Sequence, residues 1–249
     1  MSHSRTEDTT PAEPAKSRTD YVSRDCSRFN LEQSSLSSSP QHLLLEKEPR
    51  HTLTPGVVAI GVSTGGPPAL ERILPRFPAN LAVPILIVQH MPQGFTRPFA
   101  ERLNSVSSIS VREATQNQSI HPGVAYIAPA GAHMRVVQSL SDHKPRIALD
   151  SRHGDALHIP SIDELMKSVA DLYGNRAIGV IMTGMGCDGA EGMAAIFHAG
   201  GITIGQDQAT CTVYGMPRVC AELGVLTRIA PLCHIPTEIT RVLRHAEHP

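Results

Sequence analysis

From Gly56 onward, short apolar runs alternate with segments in which apolar residues recur every three or four positions. The short runs are typical of strands and the periodic segments of helices, and their regular succession is typical of a mostly parallel sheet. Several runs are apolar on both alternating faces, as in a strand that is covered by helices on both sides. The alternation therefore predicts an α/β fold with a mainly parallel sheet between helices.

Five segments are predicted as strands: Val57 to Ile60, Ile85 to Val88, Val124 to Ile127, Ile178 to Met182 and Gly201 to Ile204. Helices are predicted near Pro68 to Phe77, Thr96 to Asn104, Ser161 to Tyr173, Ala190 to Ala199, Pro217 to Leu223 and Pro236 to Glu247. The helix after Ser161 has the strongest pattern, since Ile162, Leu165 and Val169 lie on one apolar stripe. Ser161 is its predicted N-cap, and Glu164 would complete a capping box.

The composition changes abruptly near residue 55. Residues 1–40 contain ten Ser, four Thr and three Pro with few aliphatic residues. Such a segment cannot bury enough apolar surface to offset the entropy that is lost on ordering. We therefore expect a disordered Ser/Thr-rich tail over residues 1–54 and one folded domain over residues 55–249. Within the tail, the leucines of Gln41 to Glu46 are expected to form a short helical turn.

Charge and hydropathy exclude several classes of protein. The 249 residues carry 22 Lys and Arg against 23 Asp and Glu, so no long-range positive field attracts nucleic acid or anionic lipid. The longest apolar stretches have five residues, whereas a membrane-spanning helix needs about 20. Residues 1–10 are polar and do not resemble a secretory signal. We expect a cytoplasmic protein without nucleic-acid binding or membrane insertion.

An odd number of cysteines without a Cys-x-x-Cys pair fits neither a disulfide framework nor a thiolate zinc site. The five are Cys26, Cys187, Cys211, Cys220 and Cys233. We expect them to be reduced and to take no part in catalysis. His153 and His158 lie five positions apart but lack supporting ligands. No metal site is therefore expected.

Residues 57–67, VVAIGVSTGGP, contain the pattern Gly-x-Ser-x-Gly at Gly61, Ser63 and Gly65. An apolar strand precedes the pattern and a helix follows it, which is the context of a nucleophilic serine. The amides after Ser63, near a helix N-terminus, would favour a negatively charged oxygen. Taken alone, the segment leaves two alternatives open: a Gly-rich loop that binds phosphate and a purely structural turn.

A nucleophilic serine needs a base and an orienting carboxylate. His90 follows the apolar run at 85–88, and Asp188 lies in a Gly-rich turn after the run at 178–182. Taken singly, a histidine held by local backbone explains His90 equally well, and an ordinary Asp-Gly turn explains Asp188 better than a catalytic role does. However, the carboxyl ends of parallel strands share the edge of the sheet at which ligands bind. Ser63, His90 and Asp188 are thus predicted to form an acyl-transfer triad, in a chain order unlike that of α/β-hydrolases.

Six ordered blocks carry a more specific signal than any of these motifs. They are GVSTGGPPALERIL, IVQHMPQGFTRPFAERLN, GVAYIAPAGAHMRV, HIPSIDELMKSVA, GVIMTGMGCDGAEGM and GQDQATCTVYGMPRV. Together they resemble the CheB-type protein-glutamate methylesterase catalytic domain of bacterial chemotaxis, over roughly Pro55 to Leu243. The resemblance implies a doubly wound, three-layer α/β fold, which agrees with the alternation of strands and helices, and a hydrolase without a cofactor.

The resemblance also implies roles by position. Ser63 matches the family's nucleophile, His90 its histidine and Asp188 its aspartate. Met185 matches a residue whose backbone amide helps to form the oxyanion site, and Thr64 lies beside the nucleophile.

Three further positions are assigned to the oxyanion and substrate-binding site. Gly65 follows Thr64, and Tyr214 and Met216 belong to the last matched block together with Asp207. Packing in the core or in a loop is the alternative for Tyr214, Met216 and Asp207.

The family's substrates are methylated glutamates on the cytoplasmic helices of chemoreceptors, and some members also deamidate receptor glutamines. The resemblance thus implies chemoreceptors, and possible further chemosensory proteins, as partners. An esterase for a different protein or small-molecule ester remains an alternative, as does a non-catalytic partner module.

The sequence departs from the family pattern in two places. Many members carry an N-terminal receiver domain, whereas about 55 polar residues precede the domain here, so regulation by phosphorylation in cis is not expected. Cys187 stands before Asp188, where Asn or Asp would be expected, and an exposed thiol there would be sensitive to oxidation.

Overall fold

The computed structural model describes residues 56–152 and 157–245. The predicted tail over residues 1–54, with its turn at Gln41 to Glu46, lies outside the described residues, as do Cys26 and His153. The division between tail and folded domain therefore stays a prediction.

The described strands and helices follow one another in nearly regular alternation. The strands are β1 Val57–Val62, β2 Ile85–Gln89, β3 Ser110–Glu113, β4 Val124–Ile127, β5 His133–Gln138, β6 Pro145–Asp150, β7 Ala177–Ile181, β8 Ile202–Gln206 and β9 Arg228–Ala230. The α-helices are α1 Gly66–Ile73, α2 Thr96–Val106, α3 Ile162–Tyr173, α4 Ala190–His198, α5 Met216–Glu222 and α6 Ile235–His245. Short 3-10 helices cover Leu74–Arg76, Gly174–Arg176 and Leu232–His234.

Seven of the described strands form one sheet in the order β3-β4-β2-β1-β7-β8-β9. Every pairing within it is parallel. The chain winds outward from β1 to β3 on one side, then returns to β7 beside β1 and winds outward to β9. The predicted doubly wound, mainly parallel α/β fold is confirmed, and its switch point lies between β1 and β7.

Helices cover both faces of the sheet. Alternate residues of β1, such as Val58, Ile60 and Val62, belong to an apolar core with α1, α2 and α6. On the other face α3 packs against β1, and α3 and α4 pack against each other. Gly61 permits this approach, because a Cβ atom there would lie 2.3 Å from Ile162 Cγ2. The first turn of α3 therefore lies close to the carboxyl end of β1.

Four strands were not predicted. β3 and β9 are the edge strands of the sheet, and their sequences SVRE and RIA lack the continuous apolar run of the central strands. β5 and β6 form a separate antiparallel pair outside the sheet. The five predicted strands are all present, with bounds that match for β4 and differ by one or two residues for the others.

The predicted helix bounds were close, with one clear difference. The helix predicted at Pro68 to Phe77 begins at Gly66, and its α-helical part ends at Ile73, where a 3-10 turn follows. Pro75 lies in that turn and has no backbone N–H to continue the α-helical pattern.

The predicted N-cap of α3 is confirmed, since Ser161 Oγ accepts the Glu164 N–H at 3.4 Å. The reciprocal half of the capping box is wrong. The Ser161 N–H donates to His133 Nδ1 at 3.2 Å, and the Glu164 carboxylate accepts from Arg135 Nε at 2.7 Å. The Ser161 N–H and the Glu164 carboxylate, which a capping box would join, are thus both hydrogen-bonded to residues of β5.

None of the described cysteines forms a disulfide. Cys187 is buried, so the thiol beside Asp188 is not exposed to solvent. The described ranges contain no group of three His, Cys, Asp or Glu residues that could hold a metal ion. None of the helices within these ranges is long and apolar enough to cross a membrane.

Candidate active site

Three predicted site residues follow three adjacent strands at one edge of the sheet. Ser63 follows β1, His90 follows β2 and Asp188 lies in the loop after β7. The His90 N–H donates to the Val62 carbonyl at 3.2 Å, and the Ser63 N–H donates to the Thr183 carbonyl at 3.0 Å. These bonds continue the strand pairing past the ends of β1 and β2. The backbone around Ser63 is therefore held from both sides.

The side chains of these three residues form one hydrogen-bonded chain. Ser63 Oγ lies 3.1 Å from His90 Nδ1, and His90 Nε2 lies 2.8 Å from Asp188 Oδ2. The side chains of His90 and Asp188 are only 10% and 8% exposed. Since a carboxylate only accepts, the bonding pattern assigns the proton to Nε2 and leaves the Nδ1 lone pair facing the serine hydroxyl. The electronic arrangement matches that of serine proteases with the two ring nitrogens exchanged.

The carboxylate of Asp188 lies against the first turn of α3 and accepts four hydrogen bonds. Oδ2 accepts from His90 and from the Ile162 N–H at 2.8 Å. Oδ1 accepts from the Ser161 hydroxyl at 2.9 Å and from the Asp163 N–H at 3.1 Å. Burial acts to raise the pKa of Asp188, but His90 and these donors outweigh it and hold the pKa well below its usual range. Asp188 is thus ionised throughout the physiological pH range.

A second buried carboxyl, Asp163, lies beside Asp188 at the start of α3. Its Oδ1 accepts the Gly192 N–H at 2.7 Å, which connects the first turns of α3 and α4. Burial and the neighbouring charge of Asp188 raise the pKa of Asp163 to about 7. Below neutral pH the two carboxyls therefore differ in charge although they share one helix terminus.

A tight turn follows Ser63. The Gly66 N–H donates to the Ser63 carbonyl at 2.8 Å, and Gly65 adopts the left-handed conformation with φ 81° and ψ 2°. Positive φ at the third position of a turn favours glycine. In the α/β-hydrolase elbow the strained residue is the serine itself, whereas here the positive φ lies two residues later. The predicted sharp turn is present, but its geometry differs from that elbow.

The loop after β7 passes directly against Ser63. A Cβ atom on Gly184 would lie 2.8 Å from Ser63 Cβ, and the next residue, Met185, is 45% exposed. Within the described ranges, neither the Thr64 N–H nor the Met185 N–H has a hydrogen-bond acceptor. The two amides predicted for the oxyanion site therefore belong to loops that contact each other at the serine.

The remaining candidates in the last matched block lie in a loop that pairs with Gly184. Tyr214 is half-buried and bridges to Gly184, and burial raises the pKa of its phenol. Met216 is fully buried and its sulfur packs against Gly184, beside the loop that contacts Ser63. Asp207 accepts the Thr210 N–H at 3.0 Å, which is a local loop contact.

Several residues at the site were not identified from the sequence. Gln89 donates from Nε2 to the Ser63 carbonyl at 3.0 Å and to the His90 carbonyl at 2.8 Å. His158 was considered only as a metal ligand, yet its ring stacks on His90 with centroids 4.2 Å apart and planes 21° apart. The one available signal was position, because Gln89 directly precedes His90 and His158 precedes the Ser161 cap by three residues.

Comparisons with known proteins agree with this fold and site. A family model described as CheB methylesterase matches residues 58–239. The chain is 50% identical over 176 residues to a protein-glutamate methylesterase/protein-glutamine glutaminase of Nitratidesulfovibrio vulgaris, covering 71% of this chain and 47% of that protein. A protein of the same name from Archaeoglobus fulgidus is 46% identical over 186 residues, covering 75% and 53%.

A solved structure is also similar. The catalytic domain of CheB methylesterase from Thermotoga maritima superposes with a TM-score of 0.73 at 37% identity, covering 76% of this chain and 100% of that one. The chain spans about half the length of the curated relatives that it matches. The chain belongs to the CheB methylesterase family.

Proposed function

We propose that the domain is a protein-glutamate methylesterase that hydrolyses glutamate methyl esters on the cytoplasmic helices of chemoreceptors. The hydrogen-bonded chain from Ser63 through His90 to Asp188, in a domain of this family, is the observation that carries the proposal. The names of the relatives supply the substrate group, and the cytoplasm is the compartment in which such receptor helices lie.

In the first step Ser63 Oγ attacks the ester carbonyl carbon, and His90 Nδ1 takes the hydroxyl proton. Asp188 stabilises the imidazolium that forms and keeps the ring in the required orientation. The carbonyl oxygen becomes negatively charged beside the Thr64 and Met185 amides, which have no other acceptor in the described ranges. Each such donor contributes roughly 3 to 4 kcal/mol to transition-state stabilisation in other hydrolases.

In the second step the carbon–oxygen bond to the methoxy group breaks, and His90 returns its proton so that methanol leaves. Water then attacks the acyl-enzyme with His90 as the base, which releases the glutamate carboxylate and restores the Ser63 hydroxyl. A glutamine side chain follows the same course with ammonia as the leaving group. The glutaminase activity in the relatives' names is therefore compatible with the same three residues.

The test is methanol release from chemoreceptor membranes methylated beforehand, with wild-type protein, the Ser63→Ala variant and a sample without enzyme. We expect release by the wild type alone, and ammonia release from unmodified receptor glutamines reports the second activity. Wild-type protein that hydrolyses a simple ester through Ser63 but releases no methanol would point to a different ester substrate. Inactivity on both, with the fold intact, would favour a non-catalytic partner module.

A further inference from the structure

We propose that Gln89 is a positioning residue, which fixes the nucleophile and the base relative to each other by holding the backbone carbonyls of Ser63 and His90. The inference rests on the proposed function, because it concerns the same reaction. It assigns a role to a side chain that does not contact the reacting atoms.

The Gln89 side chain spans the gap between two strands. It is the last residue of β2 and is only 2% exposed. Its Nε2 donates to the Ser63 carbonyl at 3.0 Å and to the His90 carbonyl at 2.8 Å. Both acceptors are carbonyl oxygens, so the nitrogen end of the amide must face them. One side-chain amide thus holds the peptide groups of the nucleophile and the base together.

The other end of the same amide gains nothing from this placement. Gln89 Oε1 is buried, and no described residue donates a hydrogen bond to it. It lies against the backbone of Gly66, where a Cβ atom would come within 1.9 Å of it, and Val62 packs close by. A buried acceptor without a donor is unfavourable for folding. The side chain therefore makes two hydrogen bonds through Nε2 while its Oε1 makes none within the described residues.

Gln206 is a matched case without this conflict. It is also the last residue of its strand, β8, and is 1% exposed. Its Oε1 accepts the Thr183 N–H at 2.9 Å and its Nε2 donates to the Thr210 carbonyl at 2.8 Å. A buried strand-end glutamine can thus be satisfied at both ends in this fold. The unsatisfied oxygen of Gln89 points to a use other than stability.

That use follows from the distance between the reacting groups. Ser63 and His90 belong to different segments, and their 3.1 Å contact depends on how the two backbones are placed. A displacement of about 1 Å at a reacting group costs on the order of 100-fold in rate. Loss of the Gln89 donors removes a hydrogen bond from both carbonyls that flank this contact, and the Ser63 carbonyl then keeps, among the described donors, only the Gly66 N–H. We therefore expect the rate to fall without a loss of binding or of fold.

The decisive variant is Gln89→Met, which has a similar length and removes both the donors and the unsatisfied acceptor. The full chain is labelled with a fluorophosphonate: Ser63 Oγ bonds to phosphorus, fluoride leaves, and His90 Nδ1 takes the hydroxyl proton. We expect kinact to fall about 10-fold or more, in line with a small displacement, while KI changes less than about two-fold. The melting temperature should change little, because removal of the unsatisfied Oε1 offsets part of the cost of the two lost donors. Labelling rates are corrected for the folded fraction measured by circular dichroism, and Gln89→Leu serves as a second variant.

The matched control is Thr203→Val, which removes a buried hydroxyl that donates to the Val225 carbonyl at 2.7 Å. This variant is expected to melt at a lower temperature and to keep the wild-type kinact. A Gln89→Met protein with wild-type kinact would overturn the proposal, as would a fall that only follows the loss of folded protein.

The outcomes for wild-type protein separate this inference from the proposed function. If the wild-type protein is labelled at Ser63 but releases no methanol, the assignment of chemoreceptors as its substrate is wrong. A lowered kinact in Gln89→Met would still support the positioning role in that case. If wild-type protein labels no faster than Ser63→Ala, there is no activated serine to position, and both proposals fail.

Discussion

Two buried carboxyls, those of Asp188 and Asp163, lie at the first turn of α3 and have pKa values shifted in opposite directions. Asp188 accepts from His90, the Ser161 hydroxyl and two backbone amides, and its pKa is held low. Asp163 accepts the Gly192 N–H, and burial beside the charge of Asp188 raises its pKa to about 7. Burial alone therefore does not determine charge; the donors aimed at each carboxyl do.

The difference has a consequence for catalysis. The imidazolium of His90 needs one fixed negative charge beside it, and the four donors supply the conditions for that charge. A second full charge at Asp163 would repel the first one within a buried site. The fold thus concentrates its hydrogen-bond donors on the carboxyl that contacts His90.

The largest expected effect is that of Asp188→Asn. The Ser161 hydroxyl and the Asp163 N–H would hold the amide oxygen of the asparagine. Its NH2 group would then face His90 Nε2 and the Ile162 N–H, and would force the His90 proton onto Nδ1. The base would then present a hydrogen to Ser63 in place of a lone pair, and we expect kcat for ester hydrolysis to fall by about 10⁴-fold, as in a serine protease with this change. Methanol release and fluorophosphonate labelling check this, and activity above a tenth of the wild-type level would contradict the comparison.

The next effect is on stability and concerns Asp163→Asn. The pKa of about 7 in the folded protein lies above the usual value of about 3.9 in an unfolded chain. The wild-type contribution is therefore most favourable below pH 4 and is lost as the pH rises to 7. Asparagine cannot ionise and keeps an acceptor for Gly192, so we expect the variant to be more stable than the wild type at pH 8.

Urea unfolding at pH 8 and at pH 4.5 measures this difference. The gap between variant and wild type should shrink toward the lower pH, where both side chains are neutral in the folded state. An equal gap at both pH values would mean that Asp163 does not titrate between them, and the contrast with Asp188 would be lost.

The sequence predicted the centre of the fold better than its edges. A parallel strand that is covered on both faces leaves a continuous apolar run, as in ILIV of β2. Edge strands and the β5–β6 hairpin are partly exposed, so their polar residues hide the strand pattern. The topology of the sheet follows from contacts between distant segments, which no local period encodes.

The same reasoning explains what could be inferred of the site. Ser63, His90 and Asp188 follow strands, and the geometry of a parallel sheet brings strand ends together. The groups that hold them were missed because each acts across the fold: Ser161 reaches Asp188, and His133 in the unpredicted hairpin accepts from Ser161. Gln89 could not be distinguished from any other residue that ends a buried strand.

A smaller effect is expected for Ser161→Ala, which removes one of the four donors to Asp188 and the N-cap of α3. We expect a loss of about 1 kcal/mol in the free energy of unfolding. The low pKa of Asp188 stabilises the fold above the unfolded value of about 3.9, and this stability is lost as the pH falls through the folded value. With one donor fewer that pKa rises, so the variant should unfold at a higher pH on acidification.

Acid titration followed by circular dichroism checks this expectation. Ser168→Ala is the control, because Ser168 lies on the same helix and its hydroxyl accepts the Val136 N–H at 3.0 Å, away from Asp188. It should lose stability about equally at all pH values. If the two variants unfold at the same acid midpoint, the Ser161 hydroxyl does not lower the pKa of Asp188.

The smallest effect is expected at His158, which holds the other side of the His90 ring. Asp188 fixes one ring nitrogen by a hydrogen bond, whereas His158 supports the ring face by stacking at 4.2 Å. Aromatic pairs contribute about 0.5 to 1.5 kcal/mol beyond the area that they bury, so His158→Ala should lower kinact by roughly two- to ten-fold. His158→Phe keeps a ring without nitrogens and should retain most of the rate. If kinact falls as much in the Phe variant as in the Ala variant, the nitrogens of His158 and not its stacked face support His90. The His90 ring would then be held by polar contacts on both sides.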